Sequence, residues 1–249
     1  MIDLDAALSL VAPGAAWLRS HGTLIVADLH AGYIQTLQKR GFALPDDADT
    51  GLLARLRGLC ARTQPRRIVV AGDLVHGAPA ADPRRGPESP LDALLAALRG
   101  VELVVVMGNH DRALGTALTD RGVTVCEHHT EGPYTVFHGD DDPAALAPRV
   151  AAARATSGRV VLGHFHPALS LNDRRGAHAR LAAFAWGPGL LCLPAFSPWA
   201  RGADLRNPAY AAPIEALVDP KALQLAVCVG PEVIATGSLA AVRRVARRA

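Results

Sequence analysis

The fold is decided by the stretch Thr23-Leu24-Ile25-Val26-Ala27-Asp28-Leu29-His30. Its apolar run, Thr23 to Ala27, has the continuity that is typical of a strand covered on both faces. Asp28 and His30 follow this run at once. Because open α/β sheets bind ligands beyond the carboxyl ends of their strands, these two side chains are predicted to lie in a functional crevice.

Four further blocks of polar residues repeat this arrangement. Each block follows an apolar run that predicts a strand, over Ile68–Ala71, Leu103–Met107, Tyr134–Phe137 and Val160–Leu162. The blocks are Gly72-Asp73-Leu74-Val75-His76, Gly108-Asn109-His110-Asp111, His138-Gly139 and Gly163-His164-Phe165-His166. Six of the chain's ten histidines fall inside the five blocks. We interpret the blocks as parts of one site, gathered where the strands end.

Helix signals alternate with these strands, so the pattern predicts an α/β fold. The predicted helices cover Thr50 to Thr63, Leu91 to Leu98, Pro143 to Ala155 and Leu239 to Arg248. Further strands are predicted at Val123–Cys126, Leu190–Phe196 and Ala222–Val229. Since the sequence has neither a repeat nor a convincing linker, we expect residues 1–249 to form one domain.

The composition is that of a globular protein, because half of the 249 residues are hydrophobic and 20% are charged. The formal net charge of +3 permits an anionic partner but does not require one. The N-terminus lacks the basic-then-apolar order of a signal peptide. No apolar run reaches the roughly 18 residues of a membrane span. We therefore expect a cytoplasmic protein with no membrane partner.

Arginines cluster in two polar stretches and in the C-terminal tail. Arg84 and Arg85 lie in a stretch rich in proline and glycine, from Gly77 to Pro90, which is a loop by composition. This loop leaves the strand that carries Asp73, so it must begin at the functional face. The other clusters are Arg174-Arg175 and the tail with Arg243, Arg244, Arg247 and Arg248. Helical spacing in the tail is more typical of a solvated face than of a nucleic-acid surface.

Cysteines and tryptophans are assigned to packing. The four cysteines form no C-x-x-C pair and lie in apolar stretches, so we expect reduced, buried thiols at Cys60, Cys126, Cys192 and Cys228. The tryptophans are predicted to pack rather than to stack on nucleobases, and they are Trp17, Trp186 and Trp199.

Aspartate and histidine at strand ends are the residues that a two-metal site needs. Two divalent cations about 3.5–4 Å apart can generate a hydroxide near neutral pH and clamp both oxygens of an in-line displacement at phosphorus. Taken alone, a block has a simpler interpretation, such as a polar strand end for Asp28 or a turn for Gly72-Asp73. Together, in this order, the five blocks favour a site for phosphoester hydrolysis.

In these residues the chain resembles the calcineurin-like metallophosphoesterases. The pattern of that family is D-x-H, G-D-x-x-[DH], G-N-H-[DE], a later histidine and G-H-x-H, and the resemblance extends from Asp28 to His166 with no ligand missing. It implies an α/β fold of two facing mixed β-sheets flanked by helices, an αββα sandwich. It also implies two divalent metal ions.

The resemblance assigns the metal ligands to two groups that share one aspartate. The first ion is held by Asp28, His30, Asp73 and His166. The second ion is held by Asp73 as the bridge together with Asn109, His138 and His164. His138 has a competitor in the pair His128-His129. We favour His138 because an apolar strand leads straight to it, and we interpret the pair as exposed loop histidines.

The resemblance also implies roles toward the substrate. His110 lies over the scissile phosphate, where it stabilises negative charge or protonates the leaving oxygen, and Asp111 holds that imidazole in its cationic form. His76 faces the substrate phosphate. The residues expected to contact the substrate are Asn109, His110 and Arg112.

Within the family, the blocks are similar to those of the DNA ligase-associated metallophosphoesterases (PdeM-like). The segment Leu193-Pro194-Ala195-Phe196, followed by Gly202, is also similar to their L-P-A-F-G-x-F-x-G-G segment, with Ser197 and Trp199 in place of the expected glycine and phenylalanine. This implies a Mn²⁺-dependent phosphodiesterase or phosphomonoesterase acting on DNA, as single strands or 3′ ends. It also implies a repair set that includes a DNA ligase and a helicase.

Two alternatives to a DNA-processing enzyme stay open from the sequence. One is a small-molecule phosphodiesterase for cyclic nucleotides or nucleotide diphosphates, and the other is a metal-binding scaffold subunit. The intact pair His110-Asp111 speaks against the scaffold. Ligands of oxygen and imidazole without thiolate suit Mn²⁺, with Fe²⁺ and Zn²⁺ as alternatives.

Overall fold

A computed structural model describes residues 1–44, 50–76, 89–114, 116–172 and 178–246. Several residues on which the sequence raised predictions lie outside the described ones. They are most of the stretch from Gly77 to Pro90 with Arg84 and Arg85, the pair Arg174-Arg175, and the tail residues Arg247 and Arg248.

The first sheet has seven strands, which lie side by side in the order of the chain. They are β1 (Ile2–Asp3), β2 (Leu8–Val11), β3 (Ala15–Leu18), β4 (Thr23–Val26), β5 (Arg67–Ala71), β6 (Glu102–Val106) and β7 (Thr124–Cys126). Strands β1 to β4 pair antiparallel, and β4 to β7 pair parallel. The parallel half places the carboxyl ends of β4, β5 and β6 at one edge.

The second sheet has nine strands in the order β14-β11-β12-β13-β10-β9-β8, with β15 and β16 added beside β12. They are β8 (His129–Glu131), β9 (Tyr134–Phe137), β10 (Arg159–Leu162), β11 (Pro167–Asn172), β12 (His178–Gly187), β13 (Leu190–Cys192), β14 (Ala203–Asp204), β15 (Gln224–Val229) and β16 (Glu232–Ser238). Strand β10 pairs parallel with both β9 and β13, so these three strands also end together.

In the described part of the chain, six α-helices accompany the sheets. They are α1 (Tyr33–Lys39), α2 (Thr50–Thr63), α3 (Pro90–Ala97), α4 (Pro143–Ser157), α5 (Pro208–Glu215) and α6 (Leu239–Ala246). Helix α3 begins where Ser89 accepts a hydrogen bond from the backbone N–H of Asp92, and α4 begins at Asp142, which accepts from Ala144. Such caps satisfy N–H groups that have no partner inside the helix. No described helix is long and apolar enough to cross a membrane.

The two sheets share a hydrophobic core. One buried cluster contains Ile25 and Val69 from the first sheet together with Val161 and Phe184 from the second. Phe184 is fully buried, and burial of a side chain of this size contributes about 1.5–3 kcal/mol. Separate clusters lie under α2 and α3 on one side and under α4 and α5 on the other. The packing is therefore the sandwich of two facing sheets flanked by helices that the family resemblance implied.

Most of the predicted elements are present, but several strands were missed. The strand predicted over Leu190–Phe196 ends at Cys192, and the strands that were not predicted are β1, β2, β3, β8, β11, β12, β14 and β16. The helices α1 and α5 were missed as well. The cysteines are free, but only Cys192 is fully buried, so the prediction of four buried thiols was wrong for the other three, which are half-buried. The single domain over residues 1–249 stays a prediction.

Candidate metal centre

The site begins where two parallel strands continue as a pair of hydrogen-bonded loops. Past the ends of β4 and β5, the backbone N–H of Asp28 donates to the carbonyl of Gly72 at 3.0 Å, and that of His30 donates to the carbonyl of Asp73 at 2.9 Å. These bonds hold the two aspartates side by side. Both carboxylates are buried, with Asp28 fully so and Asp73 2% exposed.

The donor residues adopt left-handed backbone conformations. In the part of the chain that the structure describes, six non-glycine residues have positive φ, and five of them belong to the blocks: Asp28 at 57°, His30 at 48°, Asp73 at 54°, His164 at 62° and His166 at 43°. Such residues are uncommon and cluster at functional sites, where surrounding contacts hold them. Here the turn after each strand re-aims a donor side chain toward the common edge.

The first half of the centre surrounds the carboxylate of Asp28. The Nε2 atom of His166 lies 2.9 Å from Asp28 Oδ1, yet this oxygen is buried without a hydrogen-bond partner. His30 Nε2 lies 3.9 Å from Oδ2 of Asp73. One donor atom each from Asp28, His30 and His166 falls within 4.8 Å of the others. His166 Nε2 and Asp28 Oδ1 therefore lie close together without a hydrogen bond between them. Two ligand atoms of the same cation are expected to have this arrangement.

The second half is built around His138, whose ring is held by a backbone carbonyl. Its Nδ1–H donates to the carbonyl of Ala71 at 2.8 Å, which aims Nε2 at Asn109 Oδ1, 3.2 Å away, and Asp73 Oδ1, 3.5 Å away. A metal-ligating histidine typically donates its other N–H in this way. The ring of His164 lies 5.0 Å from that of His138, measured between centroids.

The competing histidines lie elsewhere. His128 contacts the ring of Phe137, and His129 lies 3.5 Å from the carboxylate of Glu131. The structure therefore brings His138 into the cluster and leaves the pair out of it.

Burial and mutual charge set the pKa values of the donors. Burial lowers the pKa of His30 to about 4, so its imidazole is neutral and free to bind a cation. For Asp73, burial opposes ionisation, but the hydrogen bond and charge of His138 prevail and lower the pKa to about 2. For His138, burial opposes protonation, but Asp73 and Asp28 prevail and raise the pKa to about 9. A metal ion at Nε2 must therefore displace a proton.

Gly72 leaves room for this packing. Its φ is +82°, and a Cβ at this position would overlap the ring of His138. Only glycine combines this backbone conformation with so close an approach.

Asp111 corrects a prediction. It was expected to orient the imidazole of His110, but its buried carboxylate accepts backbone N–H groups of Asp73 and Leu74, each at 2.8 Å, and of Gly108 at 3.0 Å. Adjacent residues in the tight turn that follows β6 point in different directions, so Asp111 reaches back beneath the loop of Asp73. Burial raises the pKa of Asp111 to about 6. It positions the backbone of Asp73 rather than the ring of His110.

His110 and His76 lie over the donor cluster. Their ring centroids are 4.6 Å apart, and His110 Nε2 lies 4.0 Å from Asp73 Oδ2. The backbone N–H of His110 also donates to Asp73 Oδ1 at 3.0 Å. The side chain of His110 is 36% exposed, so it can reach a substrate. Burial lowers the pKa of His76.

Arg112 lies away from the cluster. Its side chain is 70% exposed and forms an ion pair with Asp140 at 2.8 Å. It does not line the cleft above the donors, so the predicted contact of Arg112 with the substrate has no support in this arrangement.

A cleft of about 470 Å³ opens above the donors. Its walls include Asp73 and most of the predicted site, with Asn109 and His164 exposed to solvent. The sequence analysis missed several lining residues: Tyr33, Ser197, Trp199, Ala200 and Arg201. Trp199 is 40% exposed here, so its assignment to packing was wrong, whereas Trp17 and Trp186 do pack against the core. The sequence did contain a sign of Ser197, Trp199 and Arg201, because the segment after Phe196 is where the chain departs from the related sequences.

Comparison with known proteins places the chain in a family. A model of the calcineurin-like phosphoesterases matches residues 22–175, which contain every block of the site. No curated protein matches the sequence.

Solved structures share the fold. The nuclease MPE of Pseudomonas putida is 22% identical, with 92% of this chain and 94% of that chain covered at a TM-score of 0.61. Vps29 of Entamoeba histolytica is 16% identical over 86% of this chain and 96% of that one, at a TM-score of 0.36. A phosphoesterase-like protein of Streptococcus pneumoniae is 13% identical over 83% and 82%, at a TM-score of 0.33. The last two likenesses are too distant to inform on this chain.

Proposed function

This chain belongs to the calcineurin-like phosphoesterases, and from that premise we propose that it is a Mn²⁺-dependent nuclease or DNA-end phosphatase. Family membership alone gives a metal-dependent hydrolase of phosphoesters with a dinuclear centre. DNA as the substrate, Mn²⁺ as the metal and the PdeM-like subgroup are the further steps of the proposal.

The donor set fits two divalent ions. Carboxylate, imidazole and amide oxygens or nitrogens surround Asp73 on both sides, and the described cluster contains no thiolate. When bound, the two ions would supply Lewis-acid activation of the phosphoester and of water. Asp28, His30 and His166 would hold one ion, and His138, Asn109 and His164 the other, with Asp73 shared. The position of Asp73, whose carboxylate lies 3.9 Å from His30 Nε2 and 3.5 Å from His138 Nε2, is the observation that carries the proposal.

The residues above the donors supply the acid. His110 faces the open cleft beside Asp73 and would donate a proton to the leaving oxygen or hold negative charge on the phosphoryl group. His76, whose ring lies against those of His110 and Tyr33, would face the same phosphate. Asp111 would keep the loop of Asp73 in place.

DNA is favoured over a small nucleotide by the cleft. It is open to solvent, and Trp199 and Arg201 line it beside the donors, which suits a base and a phosphate of a strand. The solved nuclease with the same fold is a further, weaker support. Partnership with a DNA ligase and a helicase and a cytoplasmic location stay predictions from the sequence.

The test is a substrate panel with purified protein and Mn²⁺. We expect hydrolysis of single-stranded DNA or of 3′-phosphate ends, and no comparable rate on RNA or on 2′,3′-cyclic nucleotides. Binding of DNA should weaken steeply with salt if several arginines meet phosphates. Efficient turnover of cyclic nucleotides with inert DNA would establish the small-molecule alternative. Replacing Mn²⁺ by Fe²⁺ or Zn²⁺ in the same assay tests the metal.

A further inference from the structure

A second cavity opens beside the metal cleft, and we name it the flanking pocket. Its volume is about 310 Å³, and its walls include Pro167, His178, Arg180, Pro194, Arg201 and Gly202. It shares three residues with the metal cleft, His166, Ala200 and Arg201, so the two spaces adjoin. A ligand that extends from the metal centre would enter this pocket next.

The flanking pocket is basic. The described residues of its wall include Arg180, Arg201 and His178 and no aspartate or glutamate. Eight other described arginines pair with carboxylates, as Arg206 does with Asp204 at 2.9 Å. Among the described residues, neither Arg180 nor Arg201 has a carboxylate within 4.0 Å. Two guanidinium groups with uncompensated charge around one cavity are suited to a phosphate.

One of these guanidinium groups is partly fixed by neutral acceptors. Arg180 Nε donates to Ser170 Oγ at 3.2 Å, and its Nη1 donates to the carbonyl of Gly202 at 3.3 Å. The remaining N–H groups stay available to an anion, and the positive charge is not neutralised by these partners. The arrangement therefore orients the guanidinium before a ligand arrives.

The segment from Ser197 to Gly202 is tied at both ends to the metal centre. The backbone N–H of Ser197 donates to the carbonyl of Asp28 at 3.1 Å, and that of Ala203 donates to the carbonyl of His166 at 2.7 Å. Gly202 has a φ of +69°, and a Cβ there would meet the carbonyl oxygen of His166 at 2.8 Å. The close approach of the Gly202 backbone to His166 fixes the position of Arg201 relative to the metal ligands.

Trp199 lies on this same segment and lines the metal cleft. Its side chain is 40% exposed, which leaves an indole face free at a site where a strand would pass. Stacking of a nucleobase on an aromatic side chain is worth about 1–3 kcal/mol and does not depend on sequence.

We propose that the flanking pocket binds the phosphate adjacent to the scissile one in a nucleic-acid strand, with Trp199 stacking on the base between them. The inference rests on the proposed function and deepens it, because a substrate that uses this pocket must have at least two phosphates linked through a nucleoside. Arg180 and Arg201 take the second phosphate, and the metal centre takes the first.

The flanking pocket is tested by removing a positive charge from the protein and, separately, a negative charge from the substrate. The protein variants are Arg201→Gln and Arg180→Gln, with Arg99→Gln as a matched control, since Arg99 is exposed at the turn before β6, at the end of the strand opposite the site. The substrates are a short oligothymidylate and the same strand with one uncharged methylphosphonate, placed in turn on each side of the cleavage site. Bis-nitrophenyl phosphate, which has no second phosphate, serves as the reference substrate.

We expect Arg201→Gln to lower kcat/KM on the oligonucleotide by about tenfold or more, the usual effect of losing a charged hydrogen bond. On bis-nitrophenyl phosphate, which has no second phosphate, Arg201→Gln should cause a loss that is at least about fivefold smaller. In the unaltered protein one methylphosphonate position should cause the same loss, and in Arg201→Gln it should cause no further loss. Trp199→Ala should lower the oligonucleotide rate and Trp199→Phe should restore it.

The failure of this inference differs from the failure of the proposed function. If Arg201→Gln and Arg99→Gln behave alike on an oligonucleotide that the protein cleaves, the flanking pocket is refuted and the nuclease stands. If additive losses are found for Arg201→Gln and the methylphosphonate, the two groups do not meet and the pocket is again refuted. If the protein cleaves bis-nitrophenyl phosphate but no oligonucleotide, both proposals are wrong.

Discussion

The two halves of the metal centre differ in how they are enclosed. Around the position proposed for the first ion, Asp28 is fully buried and the side chains of His30 and His166 are 11% and 25% exposed. Around the second, His138 is buried, but Asn109 and His164 are exposed in the cleft. The first half is thus held in the interior of the sandwich, and the second opens to solvent. We infer that the first ion is held firmly and that the second exchanges more readily and meets the substrate.

The largest effect is expected from Asp73→Ala, which should break both halves at once. Asp73 lies within 4 Å of donor atoms on each side, at His30 and at His138. We expect loss of both ions by metal analysis and a fall in kcat of about 10³-fold or more, since metal ions contribute several kcal/mol of transition-state stabilisation. The exposed Asp120 provides the control Asp120→Ala. Two retained ions would reject the shared role of Asp73.

His110→Ala should leave both metal ions bound and still lower kcat. His110 lies over the metal centre and belongs to neither half. The variant should therefore lose the proton donor and retain both ions. We expect kcat to fall by roughly 10²–10⁴, the range of a positioned acid. His128→Ala removes an exposed histidine outside the site and should have the parent rate. Turnover of bis-nitrophenyl phosphate by His110→Ala at the parent rate would refute the assignment.

Asp111→Asn should loosen the loop that both halves share. An amide nitrogen in place of one carboxylate oxygen would face the N–H groups of Asp73 and Gly108, and each buried donor left without an acceptor costs about 1–3 kcal/mol. Denaturant unfolding should show this loss, together with weaker binding of both ions. A crystal structure of the variant should show the ring of His110 in the same orientation. A rotated ring would restore the orienting role that the family resemblance implied.

Asn109→Ala should weaken metal binding only in the second half of the centre. Because Asn109 also supports His138, we expect the affinity for one ion to fall by about 10–100-fold while the other is retained. His166→Ala, the matched change in the first half, removes the contact at Asp28 Oδ1 and should release the firmly held ion. Metal analysis after dialysis distinguishes the two. Equal losses in both variants would show that the halves are equivalent.

The smallest effect is a pH dependence of the metal-free protein. The pKa of His138 is raised to about 9 in the folded state from its ordinary value of 6.5, so its protonated form contributes stability that is complete below pH 6.5. That stability should be lost as the pH rises toward 9. Thermal unfolding of metal-free protein should show a fall of several degrees over this interval. Bound metal, which displaces the proton, should flatten the curve, and a flat curve without metal would contradict the prediction.

The sequence predicted the buried strands well because their pattern is local. Continuous apolar runs such as Leu103–Met107 identify parallel strands, and the polar residues that follow them mark the edge of the site. Strands such as β2 and β3 escaped notice because their short runs, Leu8–Val11 and Ala15–Leu18, are joined by a turn and lack the polar blocks that drew attention to the others.

The contacts of the site depend on packing that no local pattern contains. The family resemblance implied that Asp111 serves His110, whereas the turn directs it to backbone amides of another loop. Trp199 and Arg201 could not be placed at the cleft, because their position follows from hydrogen bonds to the distant Asp28 and His166. The hydrogen bonds that hold the segment of Trp199 and Arg201 to the loops of Asp28 and His166 are visible only in the three-dimensional structure.

The left-handed backbone of the donor residues has an evolutionary consequence. Each such position costs on the order of 1–3 kcal/mol, and a glycine would adopt it without that penalty. A copy of the gene freed from selection for catalysis would therefore gain heat resistance by exchanging His30 or His164 for glycine. Inactive descendants of this protein should accumulate glycines at just these positions, and their melting temperatures should exceed that of the active parent.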